Sequence, residues 1–105
     1  MTAAVTKAAM RRDLTAAMRE RRVADVSALR GAIAAIDNAE AVDTEGIPDG
    51  VTEVERRRLA AGDVADVLRA HRDDALAEAR RYEALGQHAA AQRLRREAEV
   101  VSAYL

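Results

Sequence analysis

One short segment limits how this chain can fold. "DTEGIPDG", from Asp43 to Gly50, holds the only proline and two of the five glycines. Glycine and proline are the strongest local breakers of regular structure, so this segment divides the chain into two halves with little else to interrupt a helix. In the first half, Leu14 and Met18, then Val23, Val26, Leu29, Ile33 and Ile36, recur at three- and four-residue steps within each group, the spacing of one helix face. A single helix of some thirty residues is unusual in a small domain, so a corner is expected between Arg19 and Asp25, with Asp25 as an N-cap candidate. In the second half, Gly62-Asp63 places a capping carboxylate before a face formed by Val64, Leu68, His71, Ala75, Ala79 and Tyr82. That helix is expected to end at Gly86, which tolerates the left-handed conformation.

The expected architecture is therefore all-α: about four main helices in two packed hairpins, within one domain spanning residues 1–105. The hairpins cover about residues 7–42 and 63–105, the loop about 43–52, and a short extra helix is possible near 52–60. The turn at Gly86 is short, so the last two helices lie antiparallel, with Tyr82 opposite Ala91, Tyr104 opposite Arg69 and Arg93 nearest Arg80. On this register Tyr104 lies beside Leu68 and against the first hairpin.

The core of such a fold is thin. Alanine fills 26 of the 105 positions, and Phe, Trp and Cys are absent. Alanine has the best helix propensity but little surface to bury, which leaves Leu, Ile, Val, Met and two Tyr to supply the burial energy. Without cysteine there is no disulfide framework and no thiolate metal site. No apolar run is long enough for a signal peptide or a membrane span, and a cytoplasmic location is expected.

The residues that resemble a known family run from "RRDLTAAM" through "VSALRGAIAAIDNAEAV" (Arg11 to Val42), and then from Asp63 through "YEALG" to the closing Tyr104-Leu105. They resemble the GatB/YqeY family, the YqeY-like helical domain. Leu29, Arg30, Asn38, Glu40, Tyr82, Gly86 and Tyr104 match its structural positions. In that family the Tyr-Leu is commonly followed by proline and a second small helical domain, so a one-domain short form is expected here. The family's domain also forms the tail of the B subunit of the tRNA-dependent amidotransferase, a carbon–nitrogen ligase that uses glutamine as nitrogen donor, where the chemistry lies in other domains. The resemblance thus implies a non-catalytic accessory module. Its implied partners are tRNA and an aminoacyl-tRNA synthetase or amidotransferase subunit.

The residue types agree with a non-catalytic reading. The two serines, Ser27 and Ser102, fall inside helices with no histidine near in sequence, so nucleophile, base and orienting group do not assemble. The five glycines form no phosphate loop. His71 and His88 lie roughly 20 Å apart in the hairpin register, too far to share a metal. No catalytic residue, metal site or cofactor is expected.

For RNA contact, Arg80 and Arg81 precede the Gly86 turn and Arg93 and Arg96 follow it, a cluster that could meet phosphates. Arg19 and Arg22, with Arg11, Arg12 and Arg21, form a second set. Against the first set, Glu78, Glu97 and Glu99 stand three or four positions from Arg81, Arg93 and Arg95 and would neutralise part of it. Arg69 and Asp73 are read as an ordinary surface pair, Arg30 as a partner of Glu40 or of an acid on the second hairpin, and Asn38 as a donor and acceptor to backbone groups. Gly31, inside a helix, is expected to mark a close helix crossing. The alternative functional reading is a protein-interaction module with no RNA contact, docking through an exposed apolar seam.

Overall fold

The computed structural model describes residues 2–45 and 61–105, with side chains over 2–41 and 63–105. Among these residues the chain forms four helices and no strand: α1 (Ala3–Arg19), α2 (Val23–Glu45), α3 (Ala61–Ala84) and α4 (His88–Ser102). The small all-α bundle read from the sequence is what the chain forms. The short helix considered near 52–60 lies outside the described residues.

The ends of these helices have local causes. Thr2 caps α1, its hydroxyl accepting from the Val5 amide at 3.3 Å. At Gly86 (φ 77°) the amides of Gly86 and Gln87 donate to the carbonyls of Glu83 and Tyr82 at 3.0 and 2.9 Å, the paired bonds of a Schellman turn. The corner between α1 and α2 uses the same device with a less suited residue. Arg21 has φ 56°, and the amides of Arg21 and Arg22 donate to the carbonyls of Met18 and Ala17 at 3.2 and 2.9 Å.

That corner corrects two expectations. Asp25 does not cap α2. It is the third residue of the helix, and Arg22 stands at the boundary, its carbonyl accepting from the Val26 amide at 3.0 Å. The apolar face counted through Met18 and Val23 also fails, because those side chains are 51% and 66% exposed. The left-handed residue resets the helix phase, so α1 presents Ala3, Thr6, Met10 and Ala17 to the core, with Leu14 at its margin. Past the corner the count holds: Leu29 and Ile36 are buried, and Val26 and Ile33 pack beside them. Similarly, α3 begins at Ala61, so Asp63 lies in its first turn, where a carboxylate favours the helix dipole, and is not the residue before it.

α2 is the central element, packing against α1, α3 and α4, while α3 pairs closely with α4. Met10, Ile36 and Leu68 are the large fully buried side chains. Each contributes about 1.5–3 kcal/mol by leaving water. Buried alanines at positions 79, 91 and 98 let the last two helices approach. At the α2–α3 crossing, a Cβ on Gly31 would meet Nε2 of His71 at 3.1 Å. The glycine therefore makes room for a half-buried imidazole, which accounts for both residues.

Candidate nucleic-acid interface

Three sets of charged side chains surround this bundle, and local sequence spacing predicted few of their partners. The first ties the two hairpins together. Asp25 on α2 is buried, with a side chain 7% exposed. It accepts from Nε and Nη2 of Arg96 on α4 at 3.0 and 3.1 Å, and from Nη1 of Arg22 at 2.6 Å. The hydrogen bonds from Arg96 hold its carboxyl below the usual range against the opposing effect of burial. Arg22 also pairs with Glu20 at 2.6 Å, and Arg96 with Glu99 at 3.1 Å. Arg22 and Arg96, both proposed above as phosphate contacts, are thus occupied inside the protein.

Beside this clamp, α1 and α4 border an open groove of about 450 Å³ lined by Asp13, Arg22, Asp25, Leu29, Arg96 and Tyr104, among others. The Tyr104 hydroxyl donates to the Asp13 carboxylate. The closing tyrosine therefore rests on α1 of the first hairpin. Burial, then the bond to Asp13, pushes its phenol well above the usual range. α4 itself stops at Ser102, and the Tyr104 and Leu105 amides reach back to the carbonyls of Val101 and Ser102, both at 3.0 Å.

The second set is the hairpin of α3 and α4. Arg80, Arg81 and Arg93 are exposed, and Arg81 pairs with Glu78 at 3.4 Å. Arg93 lines a groove of about 500 Å³ with Glu78, Tyr82, Leu94 and Glu97. Its neighbours there are acidic, and no ion pair forms between Arg93 and Glu97. Arg80 stands two positions from both Glu78 and Tyr82, hence about 160° away around α3 and on the opposite flank. Arg80 and Arg93 therefore do not share one face. On Arg80's flank, Glu83 accepts from Arg95 at 3.3 Å and meets Nδ1 of His88 at 2.6 Å, which replaces the expected Arg95–Glu99 pair. The His88 bond lowers the Glu83 pKa.

The third set is α1. Lys7 bridges to Asp37 and Glu40 of α2 at 2.8 and 2.7 Å. Its hydrogen bonds, first to Asp37 and then to Glu40, raise the ammonium pKa. Arg11, Arg12, Arg19 and Arg21 are exposed, and among the described residues none has a carboxylate partner. Arg12 and Arg19 each follow a buried residue, Met10 or Ala17, by two positions, so they project about 160° away from the core. The whole-chain balance sharpens this. Residues 1–22 carry six basic and two acidic side chains, +4, and residues 23–105 carry eleven and sixteen, −5, which together give the net −1. A basic helix thus lies on an acidic bundle. The near-zero total concealed it, and a sum over each half dilutes it, because the basic excess is confined to the first 22 residues.

The remaining expectations divide. Tyr82 lies with Ala89 and Ala90 in one groove, as the hairpin register required. His71 sits against Gly31 while His88 meets Glu83 at the hairpin tip. Arg30 is exposed and approaches only the Met18 sulfur, at 4.0 Å; Glu40 lies ten positions further along the same helix, about 15 Å along its axis and out of reach. Asn38 is exposed and bonds no described backbone group. Arg69 pairs with Asp66 at 2.9 Å, and Asp73 with Arg72 at 3.0 Å. Among the described residues no helix is long and apolar enough to cross a membrane. No protein-family model, curated protein or solved structure matches this chain.

Proposed function

We propose that this protein is a non-catalytic RNA-binding accessory module that meets RNA through the exposed arginines of α1 and of the corner that follows it. The observation that carries the reading is the set of four exposed arginines, Arg11, Arg12, Arg19 and Arg21, with no carboxylate partner among the described residues. Arginines in this state are free to neutralise phosphates and so release to solution the counterions condensed on the RNA backbone, the main source of affinity in such complexes. The acidic remainder of the bundle favours an orientation with α1 foremost. The resemblance to the YqeY-like domain supports tRNA as the RNA and a tRNA-charging or amidating enzyme as the associated machinery. Arg22 and Arg96 leave the set of RNA contacts on this reading, because both serve Asp25.

The test is a titration of the protein with bulk tRNA at two ionic strengths. Affinity is expected to fall steeply between about 50 and 200 mM salt, and R12Q/R19Q is expected to lower the salt slope by about two. R80Q/R93Q is expected to change it far less. No binding at low salt by a folded protein would remove the RNA reading and leave the protein-interaction module.

A further inference from the structure

Resting on that reading, we infer that the RNA recognised by α1 is base-paired, held by its phosphates and its shape, and that α1 does not bind single strands by their bases. Proteins that take up unpaired RNA stack the bases on aromatic rings and bond their edges with amide side chains. The outward face of α1 offers Val5, Ala8, Arg12, Thr15 and Arg19. It has neither an aromatic ring nor an amide. The chain's only aromatic residues are Tyr82 and Tyr104. Tyr82 lines the α3–α4 groove, and Tyr104 packs against the core at the margin of the α1–α4 groove with its hydroxyl taken by Asp13, so neither ring is fully exposed. No base-stacking platform accompanies the basic helix.

The spacing adds a positive reason. Arg12 and Arg19 are seven residues apart, so they project nearly in line about 10.5 Å apart along a helix. That helix is fixed at one end by Thr2 and along its length by Met10, Ala17 and the Lys7 bridge. Rigidly spaced cations suit phosphates that are themselves held at fixed intervals, since neither side then loses much freedom on binding. A single strand would have to be ordered first, with no stacking to offset the cost.

Fluorescence anisotropy with a labelled RNA duplex of about 20 base pairs and with an oligouridine of equal length separates the cases. At low salt the duplex is expected to bind at least about tenfold more tightly, and R12Q/R19Q is expected to remove most of that binding while circular dichroism stays unchanged. Equal or tighter binding of oligouridine would overturn the duplex preference and leave the RNA-binding proposal standing. If tRNA, duplex and oligouridine all fail to bind the folded protein, the functional reading itself falls. Duplex binding that R12Q/R19Q leaves intact would show that α1 is not the surface.

Discussion

Arg96 of α4 donates two hydrogen bonds to Asp25 of α2, 71 positions earlier, and Arg22 at the α1–α2 corner donates a third to the same carboxylate. One acidic side chain thus fixes the corner and the second hairpin at once. Asp25 is buried, while Arg22 and Arg96 keep close to half their side-chain surface in water. Asp25→Asn removes the charge that two guanidinium groups share and leaves Arg22 only Glu20 and Arg96 only Glu99, at a cost of about 2 kcal/mol, below the range for fully buried pairs because the arginines remain hydrated and keep these second partners. The midpoint of urea unfolding reads this directly.

Acid should erase the difference between these two proteins. The Asp25 carboxyl is held below the ordinary aspartate value in the folded chain, so the unfolded chain takes up its proton first as pH falls. The stabilisation is present in full above about pH 5 and is withdrawn as pH drops through about 4 toward the folded value. The wild type is therefore expected to approach the Asp25→Asn variant in stability near pH 3. A gap of constant size from pH 6 to pH 3 would show that the charge of Asp25 is not what stabilises the fold.

At high pH the sign reverses at Tyr104. Its phenol is raised by burial and by the bond to Asp13, so the folded chain keeps a proton that the unfolded chain loses near pH 10. This contribution is whole below about pH 10 and is lost as the solution becomes more alkaline. Lys7, whose pKa is also raised, weakens the fold in the same direction, so the informative quantity is the difference between wild type and Tyr104→Phe. In tyrosinate absorbance that difference should titrate above the ordinary tyrosine range. A midpoint near 10 would mean that the ring is not held against α1.

How much of this could be read beforehand depended on whether the cause was local. The Gly86 turn was legible because glycine is the usual residue at a left-handed helix end, and the register that followed placed Tyr82 over Ala89 and Ala90. The α1–α2 corner has the same backbone bonds, but an arginine holds the left-handed position, so its exact place was hidden and the apolar face was counted through it. Arg96 was misread for a different reason. Spacing along a helix reveals partners at three or four positions and is blind to one 71 positions away. Lys7, which bridges α1 to Asp37 and Glu40, was missed in the same way.

Gly31 and His71 supply a coupled prediction. Replacing a mid-helix glycine by alanine ordinarily gains about 1 kcal/mol. Here the new methyl would stand 3.1 and 3.2 Å from two atoms of the imidazole, closer than ordinary contact, so the ring must shift by a few tenths of an ångström. Gly31→Ala is expected to gain little or to destabilise the wild type, yet to stabilise a His71→Ala background by about 1 kcal/mol. Unfolding midpoints of the four proteins close the cycle. Equal effects of Gly31→Ala in both backgrounds would remove the imidazole as the reason for the glycine.

Arg21 provides the opposite substitution. At φ 56° its Cβ crowds the carbonyl that follows, a cost of roughly 1–2 kcal/mol that glycine does not incur. Arg21 is exposed and has no carboxylate partner among the described residues, so its side chain returns little of this. Glycine's extra freedom in the unfolded chain takes back part of the gain, and Arg21→Gly should stabilise the protein by about 0.5–1 kcal/mol. The two bonds that end α1, to the carbonyls of Met18 and Ala17, should survive unchanged because glycine suits that geometry better. Thermal unfolding measures the gain. A lower melting temperature would mean that the corner does not hold a left-handed residue at position 21, and with it would go the change of helix phase that turns Met10 and Ala17 inward.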